Sequence, residues 1–399
     1  MPANLSNTSD PHLSFSDTEI AFRHRSNPEL NLAYWLFRAM NSKLATSVGM
    51  PASTFALQIG IPIKSMIKNT IFRHFCGGET IAECEGTITQ LASGKVGTIL
   101  DYSVEGAKDE AGFRQTTEEI ARIIERAEHD NRIPFAVFKI TGVARLELLA
   151  KVSSGLTLIP AEEAEYLKAK ARVNKICRKA FEAEVPVMID AEETWIQNAI
   201  DSLALEMMRN YNREKAIVYN TYQLYRNDKL ASLKADLAYA KDYQFILGAK
   251  LVRGAYLEKE RERADELKYP SPINPDKEST DHHFNEAVKF CVEHIDRVSF
   301  VAGTHNEKSC LMLTQLMRER NLPENHPHIH FSQLLGMSDN LSFNLAHAGF
   351  NVAKYVPYGP VKAVMPYLFR RAQENKFIAG QTGRELRLIV EEKKRRRII

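Results

Sequence analysis

A chain of 399 residues, 44% hydrophobic and 26% charged, has an ordinary globular composition and is long enough for one barrel-sized domain plus an extra segment. Its net charge of +3 is too small to indicate a nucleic-acid partner, and it contains no apolar run of the roughly 18 residues that would indicate a membrane span. The five cysteines (Cys76, Cys84, Cys177, Cys291, Cys310) form no CxxC pair, which points to a reducing compartment and no structural zinc.

The first twenty residues carry no Lys or Arg, which argues against a secretory signal or a transit peptide. Residues 1 to about 30 are rich in Ser, Asn and Pro and read as a poorly ordered start. Leu30 to Thr46 and Ser53 to Phe75 then read as helices. The second carries Lys64, Lys68 and Arg73 among Ile and Phe, a pattern that suits packing on the domain or lying on a membrane surface.

From Lys95 onward, short β-branched runs recur at Gly97–Tyr102, Phe135–Ile140, Val185–Ile189, Ala216–Thr221, Ile246–Val252, Val298–Ala302, His328–Ser332 and Asn351–Tyr355. Helical stretches separate most of them: Thr117–His129, Ala161–Ala183, Thr194–Asn212, Asp228–Tyr243, His282–His294 and Asn306–Arg320. Eight strands alternating with helices predict an α/β chain whose parallel sheet closes as a (βα)8 barrel of the TIM type. An open doubly wound sheet is the competing arrangement, but no GxGxxG follows the first strand. The chain thus divides into an N-terminal segment (residues 1–94, a disordered start and then helices), a catalytic barrel (95–380) and a basic C-terminal tail (381–399).

Polar and titratable residues gather at the carboxyl ends of these runs. Asp101 to Glu105 follow the first, Lys139 lies in the second, and Asp190, Glu192 and Glu193 follow the third. Tyr219 to Gln223 close the fourth, Lys250 to Tyr256 the fifth, Thr304 and His305 the sixth, and Gln333 to Met337 the seventh. In a barrel these ends form the mouth, where such enzymes do their chemistry. One cluster alone is more often a helix cap or a polar layer. A set in phase along the whole chain marks an active site.

Past the eighth run, which Pro357, Gly359 and Pro360 are expected to break, a helix carries Tyr367, Arg370, Arg371 and Glu374 at i, i+3, i+4 and i+7. These four share a face that is not oily. Two guanidiniums with a ring one turn before them can hold a small carboxylate by paired N–H bonds and cover an apolar ligand body. A solvated helix with an ion pair at Glu374 is the plainer alternative. Lys139, Lys250 and Arg253 crowd the same mouth, and no HExxH pattern appears. The residues predict an enzyme acting on a small carboxylate, without a metal.

Five segments are more specific: Asp101-Tyr-Ser-Val-Glu-Gly106, Met188-Ile-Asp-Ala-Glu-Glu193, Lys250-Leu-Val-Arg-Gly-Ala-Tyr256, Gly303-Thr-His-Asn306 and Tyr367-Leu-Phe-Arg-Arg-Ala-Gln-Glu-Asn375. On these the chain, from about Phe15 to Asn375, resembles the proline dehydrogenase family, whose Tyr-Leu-x-Arg-Arg-x-x-Glu-Asn helix the last segment matches. The resemblance implies a distorted barrel holding FAD, with that helix over the flavin. It implies oxidation of L-proline to Δ1-pyrroline-5-carboxylate, hydride passing from C5 to flavin N5, and electrons passing on to a membrane quinone. It further implies that Lys139, Arg370 and Arg371 grip the substrate carboxylate, and that Tyr256, Leu334, Tyr355 and Tyr367 enclose the ring. Asp190, Ala255 and Glu374 would support that pocket. Ala255 would also join Gln223, Lys250, Arg253, Gly254, Thr304 and His305 at the FAD.

Lys250 stands where many bacterial members have Arg, a point donor in place of a fork. No adenine-side contact is assigned between Lys268 and Thr280. In the hydroxyproline-preferring branch the position matching Tyr355 is small, so a tyrosine there implies proline as substrate. Bifunctional relatives add an aldehyde dehydrogenase domain for which 399 residues leave no room, so the product would pass to a separate enzyme. The run Lys393 to Arg397 reads as a solvated end or a contact for anionic lipid, in keeping with a cytoplasmic enzyme peripheral on the inner face of the cell membrane. Competing functions are hydroxyproline dehydrogenase, a flavin-independent barrel lyase or hydrolase, and a regulatory protein that puts the basic tail on nucleic acid.

Overall fold

The computed structural model describes residues 13–40, 64–103, 109–377 and 381–399, with the backbone alone described at 369, 371–377, 381 and 382. The expected disordered start (1–12), the end of the first predicted helix and the beginning of the second (within 41–63), and Glu105 lie outside the described residues.

Eight parallel strands close in chain order into one barrel: β1 Gly97–Tyr102, β2 Phe135–Lys139, β3 Val187–Asp190, β4 Val218–Gln223, β5 Leu247–Val252, β6 Val298–Gly303, β7 Ile329–Leu334 and β8 Val352–Tyr358. Each predicted run falls on its strand, and the closed barrel, not the open sheet, is what forms. Side chains alternate along a strand with period 2. Ile99, Phe135, Val137, Met188, Tyr219 and Val301 therefore pack inside the barrel, while their neighbours Leu100, Ala136, Phe138, Ile189 and Val218 face the helices. Phe135 meets Tyr219 and His330 edge-on at centroid distances of 5.5 and 4.9 Å, which plugs the interior. Burial there pushes the His330 imidazole down to about 4. Two residues on from Ile99, Val137 and Met188, the same inward face carries Asp101, Lys139 and Asp190. The barrel thus runs from an oily floor to a charged mouth within one pleat.

Pro357 does not break β8. The Tyr355 carbonyl faces β7 and accepts from the Leu335 N–H at 2.9 Å. Pro357, two residues later, faces the same side beyond the end of β7, and its carbonyl accepts from the Gly77 N–H at 2.9 Å. Its missing N–H therefore removes no bond from the β1–β8 ladder, which continues through Asp101 and Pro357 to Tyr102 and Tyr358.

The helix Val361–Phe377 does have an oily stripe, at Val361, Val364, Met365 and Leu368. It packs on Ile67, Phe72 and Phe75 of the helical stretch at residues 64–75 and on Met337. Two cations of that stretch pair with the protein: Lys64 and Lys68 with Glu79 at 3.0 and 2.9 Å, and Lys68 with Glu83 at 3.0 Å, while Arg73 is exposed. Ile67, Phe72 and Phe75 of the stretch's described part thus pack on the domain, while Met66 stays exposed.

The basic C-terminus departs from the solvated end expected of it. Gln381–Arg395 is a helix whose Leu388 and Ile389 pack against Phe22, Leu30, Ala33 and Phe37. Lys393 is buried 4.2 Å from the Tyr34 ring centre, and Arg396 donates to the Phe22 and Arg25 carbonyls at 2.7 and 2.8 Å. A charge run reads as solvated because composition cannot reveal the apolar residues on the other face of its helix.

A buried ionic cluster joins these flanks to the barrel. Lys354, on the outward face of β8 and 0% exposed, pairs with Asp339 at 2.9 Å. Arg25 donates to the same carboxylate at 2.6 Å, and His24 lies 3.6 Å from it.

Candidate active site

The mouth is built from the last inward residues of the strands and the turns that follow them. At its centre the Lys250 ammonium donates to Asp190 Oδ1 at 2.5 Å and to the Tyr355 hydroxyl at 2.6 Å. Lys250 also lies 4.4 Å from the Tyr355 ring centre, and Tyr355 donates to Asp190 at 3.4 Å. Burial, with Asp190 and Asp101 beside it, holds the Tyr355 phenol well above its ordinary value, so it stays a neutral hydroxyl. Lys139 is the register neighbour of Asp190, and its charge bears on Asp101, Glu192 and Tyr256. Asp101 is buried, accepts from Ser103 Oγ at 2.7 Å, and is shifted upward by burial against the pull of Lys139.

Tyr256 stands among four charges, Lys139, Glu192, Glu193 and Arg370, and burial raises its phenol. Arg370 thus reaches the cluster from the helix Val361–Phe377, where Tyr367 is buried and Arg370 half-buried. Arg371 and Glu374 lie on the same helix, but their side chains fall outside the described part. Leu334 packs between the barrel interior and the cluster under this helix.

A second group lies around Arg253. Its guanidinium donates to Asp281 at 2.6 Å, to Thr304 Oγ1 at 2.6 Å and to Ser309 Oγ at 3.0 Å, and stacks 4.4 Å from the Phe284 ring. Gly254 sits at φ +139°, and a Cβ there would come within 2.5 Å of the Tyr225 ring, so only glycine fits this turn. Ala255 is exposed beside it. His305 Nδ1 is 2.9 Å from Ser338 Oγ.

The structure brings together most of the residues singled out in the sequence, with Lys250 joined to Asp190 and Tyr355, not to Arg253. Glu192, which sequence reasoning left without a role, links the parts. Its carboxylate accepts the Thr141 N–H at 3.0 Å and the Thr141 hydroxyl. Its carbonyl accepts from Gln223 Nε2 at 2.7 Å. Burial pushes its carboxyl up to about 7. The signal for it was its place in the acidic group after β3; the contact with Thr141, just past Lys139, needed the barrel to close.

Among the described residues no group of His, Cys, Asp and Glu could hold a metal ion, and no helix is long and apolar enough to cross a membrane.

A family model described as proline dehydrogenase matches residues 84–384. Proline dehydrogenase 1, mitochondrial, of Dictyostelium discoideum is 32% identical over 426 residues, covering 95% of this chain and 74% of the relative. The carbapenem antibiotics biosynthesis protein CarD of Pectobacterium carotovorum subsp. carotovorum is 35% identical over 322 residues, covering 81% of this chain and 83% of that one. Among solved structures, proline utilization A from Bdellovibrio bacteriovorus inactivated by N-propargylglycine superposes with a TM-score of 0.70 at 17% identity, over 93% of this chain and 40% of that chain.

Proposed function

We propose, on the premise that this chain belongs to the proline dehydrogenase family and is a proline-oxidising, flavin-dependent enzyme, that the barrel mouth takes L-proline to Δ1-pyrroline-5-carboxylate with FAD. The observation that carries this reading is the convergence of Lys139, Arg370, Tyr256 and the Lys250–Asp190–Tyr355 group on one inward-facing mouth. Cations and neutral phenols there suit a carboxylate joined to a small apolar ring. Lys139, Arg370 and Arg371 hold the carboxylate. Tyr256, Leu334, Tyr355 and Tyr367 cover the ring and exclude water, and Asp190, Ala255 and Glu374 support them. Catalysis then rests largely on holding the substrate's C5–H in one place.

The donors suit FAD. Gln223, Lys250, Arg253, Gly254, Ala255, Thr304 and His305 line the carboxyl ends and turns of β4 to β6, rich in cations and N–H groups for an electron-rich ring and its phosphates. Arg226, buried just past β4, has Nη1 without a hydrogen-bond partner among the described residues. An unmet buried donor costs about 1–3 kcal/mol, and an anionic cofactor would meet it. FAD, when bound, supplies the hydride acceptor.

The electron acceptor in this reading is a quinone, and the enzyme is cytoplasmic and peripheral on the membrane. Trp35 is 60% exposed with Arg38 over its ring at 5.3 Å, and Lys394 and Arg395 at the end of the helix Gln381–Arg395, which packs on the helix Asn27–Met40, are exposed together with Arg397 just past it, a combination suited to an anionic interface. The division into segment 1–94, barrel 95–380 and C-terminal 381–399 belongs to the same proposal.

Two measurements test it. The purified protein should be yellow, with the visible spectrum of oxidised flavin, and should bleach anaerobically on addition of L-proline. Folded protein that takes up no flavin from added FAD would remove the assignment. Second, wild type should prefer L-proline to trans-4-hydroxy-L-proline by at least about tenfold in kcat/KM, because seating the hydroxyl against Tyr355 means overpacking by about 1–3 kcal/mol. Tyr355→Ser should narrow that ratio, mainly by losing proline activity, while Tyr355→Phe keeps the ring and with it the ratio. An unchanged ratio in the serine variant would show that Tyr355 does not read the ring.

A further inference from the structure

Glu385 lies just past the matched family region, on the helix Gln381–Arg395, and is 5% exposed. Its Oε1 accepts the backbone N–H of Ser338 at 2.6 Å. Ser338 occupies the turn between β7 and the helix Asp339–His347 at φ +51°, ψ +42°, a left-handed conformation uncommon outside glycine. Such a backbone persists only where its surroundings over-determine it. Here two things do so: Glu385 takes the Ser338 N–H, and the next residue, Asp339, is clamped by Arg25 and Lys354. The consequence lies at the mouth, because Ser338 Oγ is 2.9 Å from His305 Nδ1. A chain of two hydrogen bonds therefore runs from the C-terminal helix to a residue at the end of β6.

We propose that Glu385 is a positioning residue for the cofactor side of the mouth, holding the Ser338 turn so that Ser338 Oγ aims the His305 ring at the flavin. The proposal rests on the reading above in which His305 contacts FAD. It gives the C-terminal helix, which meets the mouth from outside the barrel, a part in cofactor binding. Burial, and then the nearby Asp339 carboxylate, push the Glu385 carboxyl up to about 6 against the opposing pull of the Ser338 N–H, Lys354 and Arg384.

The test is a double-mutant cycle on the full-length chain, stripped of flavin and titrated with FAD. Glu385→Ala should raise the FAD dissociation constant by about tenfold, the scale of one charge-assisted hydrogen bond. Glu385→Gln keeps a carbonyl acceptor and should stay within about threefold of wild type. His305→Ala should also weaken FAD, and adding Glu385→Ala to it should cost little more, since the two act as one unit. Ser338→Ala, which removes only the hydroxyl, should fall in the same non-additive set and serves in place of Glu385→Ala if that variant does not fold. A Glu385→Ala effect of equal size with and without His305 would overturn the proposal, because a merely structural role gives additivity. So would FAD affinity unmoved by Glu385→Ala but lowered by His305→Ala. If His305→Ala leaves FAD affinity unchanged, the assignment of His305 to the flavin falls first, and the proposal goes with it.

Discussion

Replacing Asp339 by Ala is expected to destabilise the fold by about 3–5 kcal/mol, the cost of breaking a buried ion pair from one side. The carboxylate serves Lys354, which is 0% exposed on β8, and Arg25 at 2.6 Å. Without it two cations face each other in a dry site. Urea or thermal unfolding of the holoenzyme measures the loss, and Asp339→Ala combined with Lys354→Met should recover part of it, since the stranded ammonium is gone. A single variant within about 1 kcal/mol of wild type would show that the cluster holds little. The same group sets an acid limit. Burial alone would raise the Asp339 carboxyl, but Arg25, Lys354 and His24 overcome that and hold it well below the usual carboxylate range. Because it titrates lower in the folded chain than in the unfolded one, its stabilisation is present above about pH 4 and lost as acid carries the pH through its folded value. Asp339→Asn should lack that acid-dependent loss.

Arg370→Met or Arg371→Met should leave FAD bound and lower kcat/KM for L-proline by roughly 30- to 150-fold, the equivalent of about 2–3 kcal/mol for one charge-assisted bidentate contact. Both variants should fold, because the helix Val361–Phe377 is anchored by Val361, Val364, Met365 and Leu368 on a different face. Arg370 bears on Tyr256 together with Lys139, so its loss removes charge from the mouth and little packing. Steady-state kinetics with the flavin content held equal decides the matter. Near-normal kcat/KM in either variant would assign that arginine to the surface.

Glu192 shows where reading the chain and seeing it folded part company. Its position after a β-branched run marked it as a mouth residue, but a lone carboxylate there has many possible partners. The partner proved to be Thr141, at the end of the neighbouring strand, and Gln223 at the end of the next holds its carbonyl. Lys250 is similar: as a cation at the end of β5 it suited the flavin, and closure of the barrel brought it within hydrogen-bond reach of Asp190 and Tyr355, 60 residues before it and 105 after.

What the chain determined by itself is therefore whatever repeats locally. Eight β-branched runs alternating with helices predicted a parallel barrel, with an open sheet as the competing arrangement, and placed the polar clusters at the strands' carboxyl ends, while closure itself is seen only in the fold. Helical spacing put Tyr367 and Arg370 on one face, and local motifs carried the family. Tertiary structure alone decided what depends on meeting distant residues. Lys354 reads as an ordinary strand lysine, Glu385 as part of a charged tail, and Ser338 as a loop serine. Each acquires its meaning when the two ends of the chain fold against the β7–β8 side of the barrel, because a buried charge or an unusual backbone angle is stable only with a partner that neither local spacing nor composition can supply.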